Sequence, residues 1–207
     1  MSEVKRPLEG VKVLELATFI AAPCCARFLA DLGAEVIKVE APAGDPLRYT
    51  AVNEGRPQDQ KENTSYDLEN AGKTCVCLNT KTPAGREALE KLIAEADIFI
   101  TNWRQNPLKK AGLDYETLHA RYPKLVYGFV SGYGEKGPDK DLPGFDFTAF
   151  FARGGILGTL FDKDALPMLT IAGFGDHQVG MYLASGVLAA LYLSLIHISE
   201  PTRLGMI

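Results

Sequence analysis

The sequence is poor in the residues that bind metal ions. It has three histidines and four cysteines among 207 residues. Neither cysteine pair, Cys24 with Cys25 or Cys75 with Cys77, has the two-residue gap that is typical of zinc and redox motifs. We therefore expect no metal site, and reduced thiols of the kind found in cytoplasmic proteins.

Long hydrophobic runs and blocks of one charge are also absent. The most apolar stretch, residues 187–195, is far too short to span a bilayer, and the first ten residues lack the pattern of an export signal. Acidic and basic residues are mixed along the chain, and the formal net charge is −4. The composition predicts a cytoplasmic globular protein with neither a nucleic-acid nor a membrane partner.

The sequence motifs of nucleotide-binding loops are missing too. The segment "ELATFIAAPCC" after the first predicted strand contains no glycine, whereas a dinucleotide site needs glycines for close approach of the pyrophosphate. Glu40 could imitate the acid that binds a ribose, but not without that glycine turn. "NAGKT" carries only the last three letters of a phosphate-binding loop motif. We expect no bound NAD and no P-loop chemistry.

What is present is a repeated alternation of strands and helices. A β-rich run at 11–16 precedes an amphipathic helix at 21–33, which ends at Gly33, and a second strand at 34–40. Later segments repeat the pattern: strands at 73–79, 97–103 and 124–134, and helices at 82–96 (capped by Thr82, with Pro83 first) and 114–123. The pattern predicts an α/β fold with a Rossmann-like, mostly parallel sheet and flanking helices.

Two long polar connections interrupt this pattern, at 41–72 and 132–144. Loops of this length in a compact domain are usually functional or mobile. The segment "TNWRQNPLKKAG" (101–112) follows a predicted strand, so it lies at the carboxyl edge of the sheet, where ligands bind in open α/β folds. Its side chains Asn102, Trp103, Arg104, Lys109 and Lys110 suit a heteroaromatic ring that carries phosphates, but a solvated basic loop would have a similar composition.

A carboxylate precedes the last apolar run, in "IAGFGDHQVGM" (171–181). An ionised acid beside a buried helix is costly unless it is paired or used in chemistry. Asp176 is a good N-cap residue, and that structural role is one explanation. A chemical role is the other, and the two are compatible because the positive end of a helix keeps a carboxylate ionised.

Several motifs, in order along the chain, resemble the family III CoA-transferases (the CaiB/BaiF type). They are "GVKVLELATFIAAP", "LGAEVIKVEAPAGDPLR", "NAGKTCVCLNTKTPAG", "EADIFITNW", "GYGEKGP", "GFDFTAF" and "GDHQVGM". The resemblance implies that Asp176 is the catalytic nucleophile. It also implies that CoA is bound by Phe19, Ile20, Ala21, Leu78, Asn102, Trp103, Arg104 and Lys110. Ala41 departs from an arginine found there in some members.

The resemblance also implies a reaction. The motifs are most similar to the branch that moves CoA from an acyl-CoA such as cinnamoyl-CoA to a 2-hydroxy acid such as (R)-phenyllactate, through an aspartyl-CoA thioester. Such a transfer needs no metal and no tightly bound cofactor, because CoA enters as the acyl-CoA substrate. For His177 we favour a structural or orienting role, since a carboxylate nucleophile needs no general base.

Two other functions stay open. A racemase of the same family needs an acid and a base on opposite faces of the α-carbon, and its branch has a histidine where this chain has Phe145. The other is a non-catalytic acyl-CoA-binding subunit that associates with a 2-hydroxyacyl-CoA dehydratase. Phe147, Phe150, Phe151 and Phe161 could line an aromatic pocket, although clustered phenylalanines are more often part of a core.

The last residues do not resemble the family. The string from Leu193 to Arg203 resembles the translation of a sequencing adapter, so we treat residues 193–207 as a non-native tail and exclude His197 from the site. Residues 1–192 are then expected to form the N-terminal part of the large domain, which in the family forms intertwined homodimers. A chain of this extent is expected to be inactive and poorly folded alone.

Overall fold

A five-stranded, fully parallel sheet lies at the centre of the computed structural model, which describes residues 5–59, 62–166, 168 and 171–195. The strand order is β3-β2-β1-β4-β5. The strands are β1 (Lys12–Leu16), β2 (Glu35–Glu40), β3 (Thr74–Cys77), β4 (Ile98–Thr101) and β5 (Val126–Phe129). This architecture confirms the predicted α/β class.

Helices cover both faces of the sheet. The α-helices of the described ranges are α1 (Ala21–Asp31), α2 (Thr64–Asn70), α3 (Pro83–Glu95), α4 (Gln105–Ala111), α5 (Tyr115–Arg121) and α6 (Phe174–Leu195). Shorter elements are 3₁₀ turns at Pro46–Tyr49, Ala51–Glu54 and Leu157–Thr159, and a π-helical segment at Asp146–Arg153.

The alternation of side chains along β4 divides the core into two layers. Ile98 and Ile100 pack with α1 and α6 on one face, together with Leu29 and Leu183. Phe99 points to the opposite face and packs against residues of α3, α4 and α5. Successive residues of a strand face opposite sides of a sheet, which is why a fully buried parallel strand is apolar throughout.

Helix α3 confirms its predicted start: the Thr82 side chain accepts a hydrogen bond from the Gly85 N–H, and Pro83 is the first helical residue. Gly33 follows α1 with φ of 104°, as expected of a residue after a helix end. Helix α6 extends to Leu195, and the rest of the predicted adapter-derived tail, including His197, lies outside the described residues.

Two segments for which the sequence predicted no helix contain one. Within 41–72, α2 begins after Asn63, whose side chain accepts a hydrogen bond from the Tyr66 N–H. Within 101–112, α4 is anchored by the fully buried Leu108. Both helices have seven residues, too few for a clear hydrophobic period, so capping and tertiary contacts decide their formation.

The four cysteines are all unpaired thiols. Cys24 and Cys25 are buried on α1, whereas Cys75 and Cys77 are exposed on the edge strand β3. Among the described helices, none combines the length and apolarity needed to cross a bilayer.

Candidate active site

Asp176 lies in the first turn of the long helix α6, which begins at Phe174. The interpretation of Asp176 as the N-cap was therefore wrong, because the helix starts two residues earlier and the His177 N–H already bonds to the Gly173 carbonyl, at 2.9 Å. Its carboxylate still lies at the end of the helix where the backbone dipole favours negative charge.

The surroundings of Asp176 make its carboxyl group harder to ionise than that of an aspartate at the protein surface. Burial raises its pKa to about 6, and the negative charge of Asp146 adds to the rise, while His177 opposes it. Asp146 itself is buried in the π-helical segment, and neither of its carboxylate oxygens has a hydrogen-bond partner among the described residues. Sequence reasoning missed Asp146, although it lies within the quoted motif "GFDFTAF".

Glycines allow the backbone of the Asp176 turn to pack closely. A Cβ on Gly175 would collide with the Asp146 carboxylate and the Phe150 ring. Gly173 has φ of 78°, and a Cβ there would lie 3.0 Å from Ile20. The start of α6 therefore lies directly against both the π-helical segment and the turn between β1 and α1.

That turn carries three of the predicted CoA contacts, Phe19, Ile20 and Ala21. Phe19 has φ of 61°, a left-handed conformation that is strained for a side chain of this size. Its N–H donates to the Asp45 carboxylate at 3.1 Å, which holds the strained residue in place. The Phe19 ring meets Phe145 edge to face, with centroids 5.7 Å apart.

Asp45 belongs to a buried ionic cluster beneath this turn. The Lys38 ammonium contacts Glu15 at 2.7 Å and Asp45 at 2.9 Å, and the Lys73 ammonium contacts Glu15 at 2.6 Å. Burial lowers the pKa of Lys38, but the carboxylates of Glu15 and Asp45 outweigh it and leave that pKa raised. The cluster ties β1, β2 and the 41–72 connection to one another.

The remaining predicted contacts follow strands β3 and β4. The Asn102 amide is occupied by the backbone of Thr18, accepting from its N–H at 3.1 Å and donating to its carbonyl at 2.7 Å. Asn102 thus braces the β1–α1 turn, a role that its position in the sequence did not reveal. Leu78 follows β3, where its N–H donates to the Glu40 carbonyl, and packs with the core layer of α3 to α5.

Trp103 and Lys110 line a surface cleft of about 350 Å³ between α3 and α4. Lys81 and Arg86 add two further cations to its wall, and Glu90 is the one acid among its lining residues. Arg104 is exposed at the start of α4 and is not part of this lining. The structure therefore places Phe19, Ile20 and Ala21 in the turn next to the start of α6, and Trp103 and Lys110 at the cleft. Leu78 and Arg104 belong to neither group.

His177 makes hydrogen bonds through both ring nitrogens. Nε2 lies 2.8 Å from the Glu69 carboxylate on α2, and Nδ1 lies 2.6 Å from the Gly173 carbonyl. The Cys24 thiol completes a group of three side chains whose potential metal-binding atoms lie within 4.8 Å of one another. Burial raises the pKa of Cys24 to about 11, which disfavours the thiolate that a metal ion requires.

The aromatic residues near the site form a partly exposed cluster. Phe151 is buried and packs against Phe147, Phe150 and Phe174. Phe161 is exposed, and so is Phe147. Phe151 is thus a core residue, whereas the rings of Phe147 and Phe161 are exposed.

Comparisons with known proteins agree with the motifs. Residues 8–195 match the sequence model of CoA-transferase family III. The chain is 64% identical over 183 residues to the cinnamoyl-CoA:phenyllactate CoA-transferase of Clostridium sporogenes, a match that covers 88% of this chain and 44% of that protein. It is 51% identical over 185 residues to the (R)-2-hydroxy-4-methylpentanoate CoA-transferase of Clostridioides difficile, covering 89% and 46%.

The fold is likewise similar to a solved structure, that of a CAIB/BAIF family protein from Brucella suis. The TM-score is 0.84 at 35% identity, over 93% of this chain and 51% of that chain. The chain thus spans about half the length of its relatives or slightly less. Because the family model covers nearly all of the sequence, the chain belongs to CoA-transferase family III.

Proposed function

We propose that this chain carries the nucleophile of an enzyme that transfers CoA from an acyl-CoA such as cinnamoyl-CoA to a 2-hydroxy acid such as (R)-phenyllactate. The observation that carries the proposal is the Asp176 carboxylate, half-buried in the first turn of α6, a helix whose start packs against the Phe19–Ala21 turn. The activities of the two clostridial relatives support the choice of substrates.

The reaction follows from a carboxylate nucleophile and a thioester. An Asp176 oxygen attacks the thioester carbonyl, the C–S bond breaks, and CoA leaves as the thiolate, giving a mixed anhydride. The thiolate then attacks the aspartyl carbonyl and releases the donor acid, which leaves an aspartyl-CoA thioester. The 2-hydroxy acid carboxylate attacks that thioester, and the same two steps in reverse regenerate Asp176. Acyl groups and charge balance without a metal, ATP or hydride.

The cleft between α3 and α4 suits the nucleotide end of CoA. Trp103 offers an apolar ring for the adenine, and Lys81, Arg86 and Lys110 offer cations for the phosphates. In this arrangement the Phe19–Ala21 turn would guide the pantetheine arm from the cleft toward Asp176. Asn102, whose amide is bonded to Thr18, would act by fixing that turn.

The test uses a chimera, because the chain spans less than half of its curated relatives. Residues 8–192 replace the matching segment of the C. sporogenes transferase. Hydroxylamine should convert Asp176 to a hydroxamate only when cinnamoyl-CoA is present. Asp176→Asn should lower transfer by about a thousandfold or more, because the amide is a poor nucleophile.

The matched control is Asp162→Asn, which changes an exposed acid outside the site and should leave transfer unchanged. The rate should rise with pH through about 6, since the attacking form is the ionised carboxylate and its fraction increases with pH. Asp146→Asn should move this rise to lower pH. Full transfer by the Asp176 variant, or modification of another residue, would refute the proposal.

Neither alternative function has a specific observation in its favour. Phe145 occupies the position of the racemase histidine, and its ring packs on Phe19. His119 stacks on Tyr115 in α5, and His177 is hydrogen-bonded at both nitrogens. Exchange of solvent deuterium into a chiral acyl-CoA without an acceptor acid would favour a racemase. Binding of CoA without any covalent adduct would favour a subunit of a dehydratase system.

An intertwined homodimer of the full-length protein remains part of the proposal.

A further inference from the structure

The hydrogen bonds of His177 restrict its protonation state. The Gly173 carbonyl can only accept, so Nδ1 must carry a proton. The Glu69 carboxylate is an acceptor when ionised, so Nε2 must then carry a proton as well. A ring whose two nitrogens both face oxygen acceptors is an imidazolium.

The surroundings of His177 supply more negative than positive charge. Helix α2 contributes Glu69, α1 contributes the neutral Cys24 thiol, and α6 contributes Asp176. Lys73 interacts with Glu69, and Asp146 adds a negative charge that acts on Asp176. The hydrogen bond to Glu69 raises the pKa of His177 to about 9, and the Gly173 carbonyl adds to the rise although burial opposes it.

Glu69 is well placed to hold this cation. It is 2% exposed near the end of α2, and an ionised carboxylate at such a depth is costly unless it is paired. The ion pair with His177 therefore fastens the long 41–72 connection to the first turn of α6. Gly173, in its left-handed conformation, lies between the His177 imidazole and Ile20. The ion pair of His177 and Glu69, here called the clamp, is therefore connected to the β1–α1 turn through Gly173.

We propose that His177 is a positioning residue, an imidazolium at neutral pH that fixes the turn before α6 and opposes the charge of Asp146 so that Asp176 stays ionised. The role of Asp176 in this proposal rests on the proposed function. The protonation state of His177 is independent of the proposed function, and it can be measured without turnover.

The test is a long-range ¹H–¹⁵N NMR correlation of the imidazoles in the chimera that carries this segment, with the His177 signals assigned from His177→Gln. At pH 7.5 His177 should show two protonated nitrogens, and it should lose its charge only near pH 9. A neutral ring protonated on Nδ1 alone at pH 7.5 would overturn the proposal, because the proposal requires a proton on both ring nitrogens.

Two conservative variants separate positioning from mere packing. Glu69→Gln should lower the pH at which His177 titrates by at least about one unit, while Glu62→Gln, on an exposed residue of the same connection, should not. His177→Gln should move the ¹³C titration of the Asp176 carboxyl upward by about one unit, and His119→Gln should leave it in place. An Asp176 titration that is the same in the folded His177 variant would also overturn the proposal.

These outcomes are distinct from those of the transfer experiment. If Asp176 proves not to be acylated while His177 is an imidazolium, the proposed function fails and the clamp stands. If Asp176 is acylated while His177 is neutral, the proposed function stands and the clamp fails.

Discussion

Gly175 has no room for a side chain, because a Cβ would collide with both Asp146 and Phe150. Gly175→Ala should therefore lower the free energy of unfolding by about 1–3 kcal/mol, the usual cost of overpacking, despite the better helix propensity of alanine. Urea denaturation of the chimera that carries this segment measures this change.

Gly158→Ala is the matched control, because its Cβ would meet open space. That change should alter the free energy of unfolding by less than about 0.5 kcal/mol. If both variants are equally stable, the packing inferred at the start of α6 is wrong.

At this scale the sequence indicated candidate residues but not their geometry. Asp176 stands out because of its position between glycines and an apolar helix, yet its place inside the first turn depends on where α6 begins. Asp146 gave no signal, since its burial beside Gly175 arises from the meeting of two segments distant in the sequence. The Asn102 amide looked available for a ligand, and only the fold shows that Thr18 uses it.

Lys38 on β2 is fully buried, and its ammonium forms ion pairs with Glu15 on β1 and with Asp45. Lys38→Met would keep the apolar stem but leave two carboxylates without this partner. We expect a loss of about 3–5 kcal/mol in the free energy of unfolding, the cost of breaking a buried ion pair from one side. Urea denaturation would measure it.

Lys91→Met provides the comparison on α3. Lys91 pairs with Glu87 across one helical turn, and both side chains are exposed, so this change should leave stability nearly unchanged. Equal effects of the two methionine variants would contradict the structural importance of the buried cluster.

Elements with strong periodicity were predictable from the sequence, and short ones were not. The apolar strands and the helices α1, α3 and α5 follow from pattern and capping, as with Thr82. Helix α4 contains proline and two lysines in seven residues, and its stability comes from Leu108 in the core. The π-helical segment at Asp146–Arg153 has no sequence signature of comparable strength.

Over the whole molecule, exposed apolar side chains are concentrated between residues 160 and 182. They include Leu160, Phe161, Leu166, Met168, Ile171, Phe174, Met181 and Tyr182. Exposed apolar surface of this kind commonly marks an interface. We propose that residues 1–192 are the N-terminal part of a larger domain, and that further polypeptide covers this surface.

The 207-residue chain should therefore self-associate at micromolar concentrations, as measured by sedimentation velocity. The double change Leu166→Lys and Ile171→Lys should reduce association, because it places charge on the apolar surface. Val52→Lys with Leu68→Lys adds the same charge at exposed sites elsewhere and should not. A chain that stays monomeric throughout would contradict this proposal.

The left-handed backbone of Phe19 has a consequence for selection. Glycine would adopt this conformation with less strain, so a search for heat-tolerant variants should favour Phe19→Gly. The same change would remove the ring that packs on Phe145 beside the proposed nucleophile. Selection for thermal stability and selection for the proposed CoA transfer would then favour different residues at this one codon.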